Sequence, residues 1–276
     1  MSSHRGGSRL AFAGLLLAAT IGMLGLIAPW IVPFDPAEQH LETRLEGPSG
    51  VHPFGTDELG RDILTRVLLG TRVSLGIGLT VVLISGVVGI LVGGLAGFNG
   101  GRLDLVVTVV VMNALQAFPG ILLAIALVAF LGPGIGKLIL ALSVMGWVGY
   151  ARMARGQVLK VKALDFVEAA LAVGASRSRL LLRHILPNII QPILVQASIG
   201  TAGAIMAEAF LSFLGLGIVP PTPSWGAMLN EARNHLFDAP HMVVFPSAFL
   251  MATVMSLNLV GDAIRDWLDP RAVRME

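Results

Sequence analysis

Long apolar runs alternate with shorter polar segments along most of the chain. Six runs are long enough to cross a bilayer, which takes about 20 residues per helix. They cover residues 10–33, 73–98, 106–131, 135–152, 189–216 and 241–262. Lipid offers the backbone no hydrogen-bond partner, so each run is expected to be a helix. The pattern predicts an all-α integral membrane protein with six transmembrane helices.

The first run follows a short polar segment, as a signal peptide would. Its apolar part is longer than an ordinary signal core of about 7–15 residues, and no small-residue cleavage site ends it. We therefore expect residues 10–33 to remain as the first span.

The lysines and arginines lie mainly on one side of the predicted spans. With the N-terminus inside, the inner segments hold 13 of the 19 basic residues; these segments are 1–9, 99–105, 152–188 and 263–276. An excess of basic residues marks the cytoplasmic side. Both termini and the polar segment 152–188 are therefore predicted to be cytoplasmic.

The composition supports a membrane protein and excludes several other classes. The chain is 55% hydrophobic and 13% charged, whereas about a quarter of a soluble domain is charged. A net charge of +2, with no basic stripe, gives no sign of a nucleic-acid partner. The absence of cysteine excludes disulfide scaffolds and Cys-ligated metal sites. The partner that composition predicts is the lipid bilayer.

Two parts are predicted along the chain. Residues 1–72 hold the first span and an outer segment, and residues 73–276 form a five-helix core that contains the inner segment 152–188. In the second span Gly89 and Gly93 have the small-xxx-small spacing that lets two helices approach closely. We expect this spacing to serve packing within the bundle.

The outer segment 34–72 contains the turn-like sequence FGTDELG followed by polar residues. Asp57 is expected to cap the turn, and a short helix is expected from Arg61. Arg61, Asp62 and Arg66 are spaced for ion pairing four residues apart.

The outer segment 217–240 is Pro-rich and then amphipathic. With Trp225 and Phe237 near the interface, it is predicted to lie across the outer membrane surface. The alternative, for this segment and for 34–72, is a well-packed cap with no ligand role.

Pro119 is expected to break or kink the third run, because it removes a backbone hydrogen bond. Asn113 and Gln116 precede it by one to two turns, so polar groups collect at the break. Irregular backbone inside a membrane lies against protein or a water-filled cavity. These residues are therefore predicted either to line a translocation pathway or to hydrogen-bond between helices.

Glu208 is an ionisable residue inside the fifth span, toward its outer end. Such residues usually face a bundle interior or a pathway. Two roles stay open: a hydrogen bond that locks helices together, or contact with a cationic group of a substrate.

Catalytic motifs are not found in the sequence. The glycine-rich stretch 132–138 has the wrong spacing for a phosphate-binding loop and lacks the Ser or Thr after Lys137. We expect no enzyme activity, no metal site and no cofactor in this chain. If ATP drives the process, a partner chain binds the ATP and Mg²⁺.

The polar segment 152–188 is predicted to contain two short helices broken at Gly174, where glycine allows a tight turn. Arg179 and Arg183 lie on one face of the second helix, beside apolar leucines. A helical insert of this kind on the cytoplasmic face predicts docking of a cytoplasmic partner.

The sequence EAALAVG followed by HILP resembles the E-A-A loop in the transmembrane subunits of bacterial ATP-binding-cassette importers. The residues on the spacing of that motif are Glu168, Ala169, Ala170, Gly174, Leu186 and Pro187. His184 stands where an apolar residue is usual. Residues 52–75, 211–229 and 258–271 also resemble the peptide and nickel branch of that family, in particular the C-type permeases of dipeptide and oligopeptide importers.

This resemblance implies the type I permease fold of such importers, in a bacterial inner membrane. It implies a heterodimer with a second permease, two cytoplasmic ATPases, and an extracytoplasmic binding protein that delivers the substrate. A coupling helix would lie at about 165–185, where Glu168 contacts the ATPase or braces the loop and Gly174 allows the turn. Near Pro119 the family commonly has an Arg and an Asp, where this chain has Val110 and Asn113.

The expected function is therefore that of a permease subunit for di- or oligopeptide uptake, without catalysis of its own. Glutathione and nickel importers of the same branch are the alternatives for the substrate. A self-contained channel or secondary transporter is the alternative class, and it predicts more ionisable groups within the spans.

Overall fold

The computed structural model describes the backbone of residues 2–268 and the side chains of residues 10–268. The helical elements are, in order, α1 (Ser2–Ile31), a short 3₁₀ helix (Leu41–Thr43), α2 (Ile63–Asn99), α3 (Gly101–Leu105), a π-helical stretch (Val106–Met112), α4 (Asn113–Gln116), α5 (Gly120–Leu131), α6 (Ile135–Lys162), α7 (Asp165–Ala172), α8 (Arg177–Arg179), a second π-helical stretch (Leu180–Ile185), α9 (Leu186–Phe213), α10 (Trp225–Ala232) and α11 (His241–Leu268). The chain is all-α over this part, as predicted.

Five described helical segments are long and apolar enough to cross a membrane: Leu10–Ile31, Ile63–Asn99, Ile135–Lys162, Arg177–Phe213 and His241–Leu268. A sixth candidate is a bent pair, Gly101–Gln116 and Gly120–Leu131, with 78° between its halves. The break lies at Pro119, where the sequence predicted it. Residues 269–276 lie outside the described part, and they include the end of the predicted inner segment 263–276 and of the motif 258–271.

The prediction of a separate short helix from Arg61 is wrong. Asp62 caps the start of α2, because its carboxylate accepts a hydrogen bond from the N–H of Thr65 at 2.7 Å. From Ile63 the helix runs without a break into the second span. The expected boundary between residues 72 and 73 therefore falls inside one helix.

The inner segment 152–188 is mostly a continuation of two spans. α6 runs on to Lys162, and the helix that starts at Arg177 continues through the π-helical stretch into α9. Only residues 163–176, which contain α7, connect the two helices. We call these residues the α7 turn.

α2 packs closely along α6 because glycines line the contact. A Cβ atom at Gly93 would collide with the backbone of Ala151, and one at Gly89 would lie 2.8 Å from the N atom of Ala151. A Cβ at Gly97 would lie 3.0 Å from the carbonyl oxygen of Arg155. The packing role predicted for Gly89 and Gly93 is confirmed.

The two ends of the bundle carry different structures. At one end, residues 34–62 and 214–240 cover the starts of α2 and α11 and pack on an apolar cluster that includes Ile63, Met228 and Met242; we call these residues the cap. At the other end, the α7 turn follows α6, whose last residue, Lys162, donates from Nζ to the carbonyl of Phe98 near the end of α2 at 2.9 Å.

Candidate functional site

The break at Gly174 is a helix C-cap of defined geometry. The N–H of Gly174 donates to the carbonyl of Leu171 at 2.9 Å, and the N–H of Ala175 donates to the carbonyl of Ala170 at 3.0 Å. Gly174 has φ +82°, so this is a Schellman motif, which favours glycine at that position. The turn predicted at Gly174 is present, and its geometry explains the spacing between Ala170 and Gly174.

The α7 turn is anchored to the bundle by one buried side chain, while its remaining surface is exposed. Val167 is 2% exposed and packs in an apolar cluster with Leu180, Ile185 and Ile189. The other large apolar side chains of the turn are exposed: Leu164, Phe166, Leu171 and Val173. We call these four the α7 patch, and Val173 is 86% exposed. Exposed apolar patches of this kind are common at interaction sites.

The charged residues predicted for coupling are also exposed. Glu168 lies in the first turn of α7, where a carboxylate is favourable beside the helix N-terminus. Ala169 is exposed next to it, and Arg179 and Arg183 are exposed beyond the turn. Within residues 10–268, none of these three charged side chains forms an ion pair.

Leu186 and Pro187 begin α9 directly after the π-helical stretch. Pro187 has no N–H to donate, and the side chain of Asn188 donates to the carbonyl of His184 at 2.6 Å. The ring of His184 lies 6.4 Å from that of Phe166. The residue that departs from the family motif therefore lies close to the α7 patch.

The polar residues near the third-span break are exposed on this chain. Asn113 accepts a hydrogen bond from Nη2 of Arg152 at 3.3 Å, while Gln116 and Pro119 are exposed. The structure does not bring them together with Glu208.

Glu208 is fully buried and joins two helices. The hydroxyl of Ser74 in α2 donates to its Oε2 at 3.0 Å, and that of Ser212 donates to its Oε1 at 2.8 Å. These contacts are those expected if Glu208 forms hydrogen bonds that lock two helices together.

The cap encloses a network of buried charges. Arg61 Nε lies 2.7 Å from Asp57 Oδ2, and the guanidinium groups of Arg61 and Arg66 both donate to Oε2 of Glu231, at 2.9 and 2.8 Å. Arg66 is 1% exposed and Glu231 14%. Sequence reasoning missed Glu231, because nothing in its neighbourhood along the chain marks it as a partner of Arg61, 170 positions away.

One expectation about the cap residues is wrong and another is confirmed. Asp62 does not pair with Arg66, because it caps α2 and binds Nδ1 of His52 at 2.9 Å. Asp57 does cap its turn, accepting hydrogen bonds from the N–H groups of Leu59 and Arg61 at 2.9 and 3.0 Å.

Trp225 is not an interfacial anchor. It is fully buried at the start of α10, and its ring N–H donates to the carbonyl of Val67 at 3.2 Å. α10 is therefore packed as part of the cap and does not lie across the membrane surface, which confirms the packing that the alternative for segment 217–240 predicted. Phe237 is fully exposed, as an interfacial residue would be.

A cavity of about 300 Å³ lies between α2, α5, α6 and α9. Its polar side chains are those of Ser85, Tyr150 and Gln196. Asn113, Gln116, Pro119 and Glu208, the residues predicted for a pathway, do not line it. A sequence signal existed, since Tyr150 is the chain's single tyrosine and lies inside a span.

The chain matches two known sequence families. The family described as "binding-protein-dependent transport system inner membrane component" matches residues 89–274. The family described as "N-terminal TM domain of oligopeptide transport permease C" matches residues 7–48. Together they cover most of the chain.

Similar proteins include the dipeptide transport system permease protein DppC of Bacillus subtilis (strain 168), which is 40% identical over 268 residues, covering 97% of this chain and 83% of that protein. The glutathione transport system permease proteins GsiD of Pectobacterium atrosepticum and Escherichia coli O157:H7 are 43% and 44% identical, covering 94% and 95% of this chain and 86% of each relative. The chain therefore belongs to the binding-protein-dependent inner membrane components, and it is a permease subunit of the dipeptide and glutathione branch of ATP-binding-cassette importers.

Proposed function

We propose that this chain pairs with a second homologous permease to form the membrane path for small peptides, and that two cytoplasmic ATPases drive it. The observation that carries this proposal is the α7 patch. Its side chains are exposed although Val167 holds the turn firmly on the bundle. Burial of this apolar surface in a groove of a partner protein is more favourable than its exposure to water.

The proposed topology has six spans, with the bent pair as the third, and both termini in the cytoplasm. The excess of basic residues on the side of the α7 turn supports it. The cap then faces outward, where a binding protein would deliver the substrate. Nucleotide and Mg²⁺ belong to the ATPases in this proposal.

The proposed substrate is a small peptide. The relatives are named for dipeptide and for glutathione, and glutathione is itself a tripeptide. A peptide is thus the chemistry that both names share.

Three residues have proposed roles in this cycle. Glu168 contacts the ATPase or braces the loop, Gly174 holds the Schellman turn, and Glu208 locks α2 to α9 through Ser74 and Ser212. Because α6 and α9 both meet the α7 turn, movement of the turn would act on two spans at once.

The test is uptake of a labelled dipeptide into vesicles that contain the whole complex. Val173→Asp places a charge on the α7 patch and is expected to reduce copurification of the ATPases, and uptake, at least tenfold. Phe237→Asp changes a fully exposed apolar residue of the cap and should leave the ATPases bound. ATP-dependent uptake at the normal rate by Val173→Asp, or uptake by this chain alone, would contradict the proposal.

A further inference from the structure

The cavity between α2, α5, α6 and α9 lies at mid-depth of the bundle. Ser85, Tyr150, Gln196 and Gly200, which line it, all fall in the middle third of their helices. Substrate sites of membrane transporters are typically found near the membrane midplane. The depth of the cavity is therefore that expected of a site on the path of a transported substrate.

Ser85 is the first sign of a ligand in this cavity. It is 1% exposed, and its hydroxyl has no hydrogen-bond partner in the described part of the chain. A buried hydroxyl without a partner is unfavourable and therefore needs an explanation. The nearby hydroxyl of Tyr150 is only loosely engaged, because it donates to the carbonyl of Gln196 at 3.3 Å.

The start of α5 is the second sign. Gly120 and Ile121 line the cavity, and the first hydrogen bonds of the helix are those that Leu122 and Leu123 donate to the carbonyl of Pro119, at 3.0 and 3.1 Å. The amides at the start of a helix point out of it and favour an anion. α5 has 12 residues, so the broken third span presents a true helix N-terminus here.

Two glycines keep room for the hydroxyl groups. A Cβ atom at Gly146 would collide with Oγ of Ser85, and one at Gly200 would collide with the hydroxyl of Tyr150. Both glycines line the same cavity. At Gly203, which also lines it, a Cβ atom would meet no other atom within 4 Å. The space is open where a ligand would lie.

We propose that this cavity is a passage site for the carboxylate end of a small peptide. The donors are the hydroxyls of Ser85 and Tyr150, the amide of Gln196 and the first amides of α5, and the apolar walls accommodate a side chain. The described lining contains no Lys or Arg, so neutral hydrogen-bond donors, and no ion pair, would hold the carboxylate. This inference rests on the proposed function and extends it, because it names the carboxylate end as the part of the substrate that this chain binds.

The experiment compares a dipeptide with its C-terminal amide, both shown beforehand to bind the binding protein. Initial uptake is measured in vesicles with the whole complex, for the wild type and for Ser85→Ala. The wild-type to variant ratio is expected to be about fivefold larger for the free acid than for the amide, because a hydrogen bond to a charged group is lost. Any preference of the binding protein cancels in this comparison of ratios.

Ser143→Ala is the matched control, since Ser143 is also buried with an unpartnered hydroxyl but does not line the cavity. Equal ratios for acid and amide in Ser85→Ala, or the same change in Ser143→Ala, would overturn the inference. If the wild type transports neither form, the proposed function fails instead.

A second variant keeps the inference testable should Ser85→Ala assemble poorly. Gly203→Ala adds a methyl group to the open space and is expected to slow uptake of a tripeptide at least threefold more than that of a dipeptide. Gly136→Ala adds the same methyl group in equally open space outside the cavity lining. If the two glycine variants behave alike, the cavity is not on the path.

Discussion

The cap and the α7 turn lie at opposite ends of the bundle and differ in the burial of their charged and apolar residues. At the cap, Arg61 and, from the start of α2, Arg66 are buried and both donate to the largely buried Glu231, and Trp225 is fully buried. In the α7 turn, Glu168 and Val173 are both exposed. Each end nevertheless has a fixed backbone geometry, with Asp57 capping one turn and Gly174 the other.

This difference indicates which end of the bundle has its interactions satisfied within the chain and which end has a surface left for a partner. Arg61 and Arg66 both find carboxylate partners within this chain, Asp57 and Glu231, so the charges of this network are paired without another subunit. An exposed apolar surface on a fixed turn leaves free energy to be gained by a partner. The same kind of substitution should therefore act on stability at one end and on coupling at the other.

Glu231→Ala should have the largest effect on the stability of the protein. It removes one of the two carboxylates that pair with both guanidinium groups and leaves Asp57 as the other. Loss of one partner of a buried pair costs about 3–5 kcal/mol. Thermal unfolding in detergent should show a clearly lower midpoint. Glu168→Ala is the comparison: it should leave the midpoint unchanged and lower ATP-driven uptake. Equal midpoints for Glu231→Ala and wild type would show that the network does not stabilise the cap.

Gly174→Val should have an intermediate effect, confined to coupling. A Cβ atom at Gly174 meets nothing within 4 Å, but φ is +82°, so the cost is backbone strain of about 1–2 kcal/mol. We expect the spans to stay folded while substrate-stimulated ATP hydrolysis and uptake fall. Gly174→Asn is the control, because asparagine tolerates this conformation. Normal stimulated ATP hydrolysis in Gly174→Val would contradict the coupling role.

The smallest expected effect is a pH dependence of the cap alone. The hydrogen bond from His235 to Asp238, at 2.8 Å, and the carboxylate of Glu58 raise the pKa of His235. This stabilisation should be complete below the ordinary histidine value of about 6.5 and be lost as pH rises through the higher pKa of the folded state. Hydrogen-exchange protection of residues 232–240 should therefore fall as the pH is raised above about 6.5.

His235→Gln should abolish this change in protection. Residues 163–176 contain no histidine and provide a reference within the same chain. A parallel fall in protection in both segments would mean that His235 is not its cause.

The features that could be predicted from the sequence are those that depend on residues close together in the chain. The helical spans depend on the length of apolar runs, and the break at Pro119 and the turn at Gly174 depend on single residues, so all three were predictable. The start of α2 was not, because apolar length alone cannot show that Arg66 is matched within the fold. The Glu231 network and the cavity around Ser85 and Tyr150 join distant parts of the chain, and no local pattern contains that information.

The uninterrupted helix from Arg177 to Phe213 has a mechanical consequence. It has 37 residues, so it is about 55 Å long, and it carries the α7 turn at one end, Gln196 and Gly200 at the cavity in the middle, and Glu208 near the other end. A tilt of about 5° at the inner end would displace the far end by about 5 Å. If the helix tilts as one body, the α7 turn, the lining of the cavity and the hydrogen bond between Glu208 and Ser74 are therefore displaced together.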